Sequence, residues 1–281
     1  MSNPMLNDKT FQQQGGVATL PPPDPRSANL AAEAAAAMHA PQTQPAPTYG
    51  GPIERDGAMT MSGTVLATGA MLALLLIGGT VGWIATETDE LGNVSMPFWI
   101  WIAMIGGVVA AIVASVKPPL ARFLAPVYAL AYGTVVGGIS KFYETQWNGI
   151  VIQAIGATVG VFAVVLAMYA LRIVKVTNRF RSIVMAATLG LMLFYLVSFV
   201  LSFFGATPSF ISEPSALGIG FSVVAAGIAA LNLFLDFDII ERGVQMGAPK
   251  YMEWYGAMAL TVTLVWLYLE MLRLLSKLRS N

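Results

Sequence analysis

Asp236, Asp238 and Glu270 are the side chains with chemistry to offer, because each lies in an otherwise apolar run: NLFLDFDIIERG (232–243) and LYLEMLRLL (267–275). An ionised group in hydrocarbon costs about 2.5–3.5 kcal/mol on insertion scales, which makes such residues functional candidates by default. Two carboxyls brought together share a proton and titrate as a coupled pair. Deprotonated, they offer hard oxygen ligands to a cation such as Ca²⁺; protonated, they can latch one helix to another. Asp236 and Asp238 lie about 200° apart around a helix, so they cannot both face one site. Asp238 has Arg242 one turn on, the spacing of an ion pair, and its structural reading is an interfacial pair that ends the span. Asp236 has no cation within a turn, only Asn232 on its own face. Glu270 is flanked by Trp266 and Tyr268, with Arg273 three residues on, and its structural reading is a pair closed within one helix.

These acids need elements long enough to hold them at depth. From Met59 onward apolar runs recur, and about 20 apolar residues cross roughly 30 Å of hydrocarbon. Seven such runs are present, at 62–85, 97–116, 121–140, 149–171, 182–204, 216–238 and 254–276. Each is hydrophobic nearly all round, as lipid-facing or fully buried helices must be. Alternating barrel strands are absent. The fold class is an all-α integral membrane protein, seven transmembrane helices in one bundle (58–281). A Gln-, Ala-, Pro- and Gly-rich segment (1–57) precedes it and reads as a disordered cytoplasmic tail. Only LAAEAAAAMHA (30–40) in that tail offers a short helix.

Composition removes the other classes. The chain has 281 residues, 56% hydrophobic and only 11% charged, against about 25% charged in a soluble domain. Fifteen Lys+Arg balance fifteen Asp+Glu, leaving no basic excess for nucleic acid. With no cysteine and one histidine, His39, thiol nucleophiles and multi-histidine metal sites are excluded. A retinal Schiff base needs a lysine inside helix seven, but Lys277 stands at its end. No enzymatic activity and no cofactor are expected. Gln153, Thr158 and Asn232 read as hydrogen-bond partners between helices.

Loop charges give the orientation. The odd loops carry Glu87, Asp89 and Glu90, then Lys141 with Glu144, then Glu213. The even loops carry Lys117 and Arg122, then Arg172, Lys175, Arg179 and Arg181, then Arg242 and Lys250. Positive-inside bias puts the even loops and the N-terminus in the cytoplasm, in the cell (inner) membrane, and the C-terminus outside. Arg273, Lys277 and Arg279 oppose that rule at the C-terminus. The pairs Gly78/Gly82, Gly133/Gly137 and Gly156/Gly160 allow close helix approach, and Asn93-Val-Ser95 fits a glycosylation sequon.

YALAYGTVVGGISKFYE (128–144), LDFDIIERG (235–243) and LYLEMLRLL (267–275), in this order within seven spans, resemble the Bax inhibitor-1 (transmembrane Bax inhibitor motif) family in its bacterial, YccA-like branch. The resemblance covers about residues 60–278, and the SNPMLN start is similar to that of one subgroup. It implies a membrane protein that passes Ca²⁺ down its gradient in a pH-dependent way. It also implies an acid pair on helices six and seven that controls opening, and a basic residue after helix two that latches to the helix-six acid. Asp236 falls on the helix-six acid, with Asp238 its near neighbour. Glu270 falls on the helix-seven acid, Glu replacing Asp, and Lys117 or Arg122 stands at the latch. Bacterial relatives also suggest a different role, a non-transporting regulator that restrains a partner such as a membrane protease. Helix register decides whether the acids meet. If helix seven enters near 254, Glu270 lies roughly 24 Å in at 1.5 Å per residue, about 15 Å from the level of Asp236. Aligning the ends of the two helices instead sets Thr263 or Val265 opposite Asp236.

Overall fold

The computed structural model describes residues 57–89, 93–205 and 213–280. The expected tail therefore lies outside the described residues, except for Gly57.

Among the described residues there are seven α-helices: α1 (Met61–Ala85), α2 (Phe98–Val116), α3 (Ala121–Gln146), α4 (Ile150–Ala170), α5 (Asn178–Ser202), α6 (Ala216–Gln245) and α7 (Met252–Arg279). All seven are long and apolar enough to cross a membrane. A helix is the natural answer for such sequences, since no water is present in hydrocarbon to satisfy backbone N–H and C=O groups. The hydroxyls embedded in them bond back one turn: Thr64 to Thr60, Ser140 to Val136, Thr158 to Ala154 and Thr261 to Ala257, each through the backbone carbonyl. Two features were not expected from the apolar runs. A turn of 3₁₀ helix (Pro118–Leu120) leads into α3, and a two-residue hairpin, β1 (Glu87–Thr88) with β2 (Val94–Ser95), joins α1 to α2. The sequon asparagine, Asn93, is engaged in that hairpin, donating its side-chain amide to Asp89 at 2.8 Å.

Three helices outrun their apolar runs into charged flanks. α5 starts at Asn178 rather than 182, α3 continues to Gln146 rather than 140, and α6 continues to Gln245 rather than 238. α6 thus runs on past Asp238 for two more turns, because the Asp238–Arg242 pair satisfies both charges along a continuing helix instead of ending it.

α7 is the central element. It packs on α1, α3, α4 and α6, and over half of it and of α3 is buried, against 17% of the apolar stretch of α5. α1 and α3 approach most closely. Any side chain at Gly82 would run into the Thr134 carbonyl, and any at Gly137 into the backbone of Gly79. The first two expected glycine pairs therefore form one backbone-on-backbone seam. Gly156 and Gly160 do not act this way, since a Cβ there would meet nothing within 4 Å.

The strand of chain before α1 fixes the relation between α1 and α7. Met59 N–H donates to the Ala248 carbonyl at 2.6 Å, and Lys250 N–H to the Gly57 carbonyl at 2.8 Å. Both helix N-termini therefore lie on one side of the bundle, as an odd number of spans requires.

Candidate functional site

Asp236 is buried on the face of α6 that meets α7, beside the hydroxyl of Thr263. That hydroxyl also reaches the Ala259 carbonyl at 3.2 Å. The other carboxylate oxygen of Asp236, Oδ2, is buried without a hydrogen-bond partner. It is the one such side-chain atom among the described residues. An ionised carboxylate in an apolar environment is costly unless paired, so a proton or an arriving cation changes the energy of this site directly. Asn232, one turn earlier, turns to α5 and donates to the Thr188 hydroxyl at 2.7 Å.

Asp238 faces the other way, as a 200° offset demands. Its Oδ1 accepts from Arg242 Nε at 3.0 Å, the expected i,i+4 pair, and its Oδ2 accepts from Arg181 Nη2 of α5 at 2.6 Å. Next to it, Glu241 accepts from the Tyr169 hydroxyl and from Arg172, both of the α4 end, and from Gln245 Nε2.

Glu270 is the most enclosed acid, 1% exposed. Its Oε1 accepts from Tyr195 of α5 at 2.9 Å, from Trp266 Nε1 at 3.2 Å and from Arg273 Nη1 at 2.8 Å; its Oε2 accepts from the same nitrogen at 2.9 Å. Arg273 also donates to the Tyr195 hydroxyl at 2.7 Å. Glu270 stands seven residues beyond Thr263 on α7, or about 10 Å along the axis. Asp236 and Glu270 thus have separate partners at separate depths. Of the two registers open in the sequence, Thr263 opposite Asp236 is the one adopted.

Neither latch candidate is paired with an acid among the described residues. Lys117 is exposed at the end of α2, and Arg122 lies 4.4 Å from the Phe123 ring centroid. α2 and α3, which carry them, make no extended contact with α6. The described residues also contain no cluster of three or more Asp, Glu, His or Cys side chains that would form a metal cage. At Asp236 the oxygens in place are its own carboxylate and the Thr263 hydroxyl.

Three functional features escaped the reading of the sequence. Glu253, in the first turn of α7, is buried and accepts from the Thr60 N–H (2.9 Å) and hydroxyl (2.8 Å), placing a negative charge at the N-terminus of α1. The cations at the C-terminus are structural. Lys277 is 3% exposed and donates to the Gly218 carbonyl and Ser222 hydroxyl of α6, both at 3.0 Å, while Arg279 donates to the Asn148 carbonyl at 2.7 Å. They make contacts within the bundle, whereas the positive-inside count treats them as loop charges. Finally, α5 is held by three polar clasps at heptad spacing, Arg181, Thr188 and Tyr195, interleaved with buried Val184, Leu191 and Ser198. That pattern was visible in the sequence as a 3.5-residue repeat.

A bundle of seven spanning helices around a central α7, with an unpaired carboxylate between α6 and α7, defines a multi-pass α-helical membrane protein. The profile of the family described as Bax inhibitor 1 like matches residues 3–280, nearly the whole chain, and the chain belongs to that family. Comparison with proteins of curated function finds no match.

Proposed function

We propose that this protein is a pH-sensitive cation leak, Ca²⁺ being the ion of the related family, with Asp236 as its titrating element. The observation that carries the reading is the orphaned Oδ2 of Asp236 at the α6–α7 contact. When ionised, that oxygen favours separation of the helices or entry of a cation; when neutral, it favours the closed contact. The proposal keeps Asp238 and Glu270 as charges that hold the helices around the route. It leaves Lys117 and Arg122 as latch residues only for a conformation other than this one. The proposed setting is the cytoplasmic membrane, the even loops and the start of α1 inside and the end of α7 outside. No catalytic step or resident cofactor is part of it.

A second reading has one observation of its own: three cavities of the bundle are walled mainly by apolar side chains, and none of the three is lined by Asp236. A non-transporting regulator that binds a membrane-embedded partner, such as a protease, needs no polar route. Ca²⁺ entry into liposomes between about pH 6 and pH 8 separates the two. The leak reading expects a pH-dependent flux whose dependence is lost in Asp236→Asn. Flux no greater than in empty liposomes, from folded protein, would make the regulator the better reading.

A further inference from the structure

α1 and α4 share neighbours but make no extended contact with each other; both rest on α3, α6 and α7. The space between them is a groove. On the side of the α4–α5 loop it holds about 590 Å³, walled by Thr68 and Leu72 of α1 and Phe162 and Leu166 of α4, with Leu260 of α7 beneath. Through Leu72 and Phe162 it continues into a second cavity of about 400 Å³, and through Leu75, Leu76 and Tyr268 into a third that reaches Trp83.

The first cavity follows α1 from Met61 to Leu72, about 16 Å of helix. That is close to half of the roughly 30 Å hydrocarbon thickness, so its depth matches one leaflet. Its mouth carries Arg172, paired with Glu241. Arg172 ends α4 in the left-handed region, φ 57°, a conformation uncommon outside glycine, and its side chain is 69% exposed. One Nη2 hydrogen bond goes to Glu241, which leaves further guanidinium donors directed to solvent. Lys175 on the same connection and Arg179 in the first turn of α5 are exposed as well.

An apolar slot one leaflet deep beneath a guanidinium matches the chemistry of a lipid that carries negative charge. We propose that this groove is a binding site for one anionic phospholipid of the leaflet facing the α4–α5 loop, with an acyl chain between α1 and α4 and its phosphate on Arg172. The site lies away from Asp236, and its occupancy does not depend on the ion-leak reading.

Native mass spectrometry of the purified full chain, titrated with phosphatidylglycerol or phosphatidylethanolamine, tests the assignment. Wild type is expected to bind one phosphatidylglycerol about tenfold more tightly than phosphatidylethanolamine, the scale of one charge-assisted hydrogen bond. Arg172→Gln should remove that preference. Gly69→Phe should weaken both lipids, because Gly69 lines the cavity and a Cβ there meets nothing within 4 Å, so the ring fills the slot without entering the core. Thermal unfolding in the same detergent verifies that each variant is folded. Equal binding of the two lipids by wild type would overturn the proposal, as would phosphatidylglycerol binding indifferent to both substitutions. Binding that rises when residues 1–56 are removed would assign the groove to that segment and overturn it too.

Discussion

Asp236 and Glu270 are both buried carboxylates of the α6–α7 pair, yet Glu270 accepts four hydrogen bonds while Asp236 keeps one oxygen with none. The satisfied acid ties two helices together: α7 through Arg273 and Trp266, and α5 through Tyr195. The unsatisfied acid meets only a hydroxyl. A charge with all its partners is held in place, because removing it leaves the partly buried Arg273 cation unpaired; the free oxygen of Asp236 has no such partner to lose. The strut and the unpaired acid therefore sit on neighbouring helices, about two helical turns apart in depth.

The comparison can be broken most severely at the strut. Glu270→Gln leaves Arg273 buried without its carboxylate, and loss of about 3 kcal/mol is expected, read as a lowered unfolding midpoint in detergent. Next in size, Gly137→Leu forces a side chain into the backbone of Gly79 and should cost about 1–3 kcal/mol in the same measurement. Tyr195→Phe removes one donor to Glu270 and one acceptor from Arg273, an expected cost of about 1 kcal/mol, with α5 amides exchanging hydrogen faster than those of α7. Asp236→Asn removes a buried carboxylate that has no ion partner, so the unfolding midpoint should hold or rise rather than fall. Its effect belongs to ion flux, where pH dependence should vanish. Thr263→Asp sharpens the contrast by building a second carboxylate opposite Asp236. Two acids at that contact share a proton, and the flux should then vary more steeply with pH than in wild type.

Much of this architecture was readable in the chain. Each span was evident because hydrocarbon imposes a length and an apolar composition that few other structures share. The ends were less so: hydropathy falls at the first charge, whereas the helical backbone of α3, α5 and α6 continues while its charged side chains find water or one another. The Asp238–Arg242 and Glu270–Arg273 pairs were legible from i,i+4 and i,i+3 spacing, because both partners lie on one helix. Arg181 and Tyr195 were not seen as their third partners, nor Glu253 as the cap of α1, since those contacts join residues distant in sequence. The orphaned oxygen of Asp236 is a property of the whole packed interface; sequence gave its place on α6 and the alternatives for what faces it, and register chose Thr263.

The glycine seam between α1 and α3 has a mechanical consequence. Two helices in contact through side chains can slide by exchanging rotamers, but Gly79 against Gly137 and Gly82 against Thr134 offer no rotamers to exchange. The pair is a single stiff beam, and α7 lies along it. Whatever movement this protein makes between one shape and another must then be borne by the helices beyond the beam. Among them α5, pinned at three points and otherwise bathed in lipid, has the fewest restraints to release.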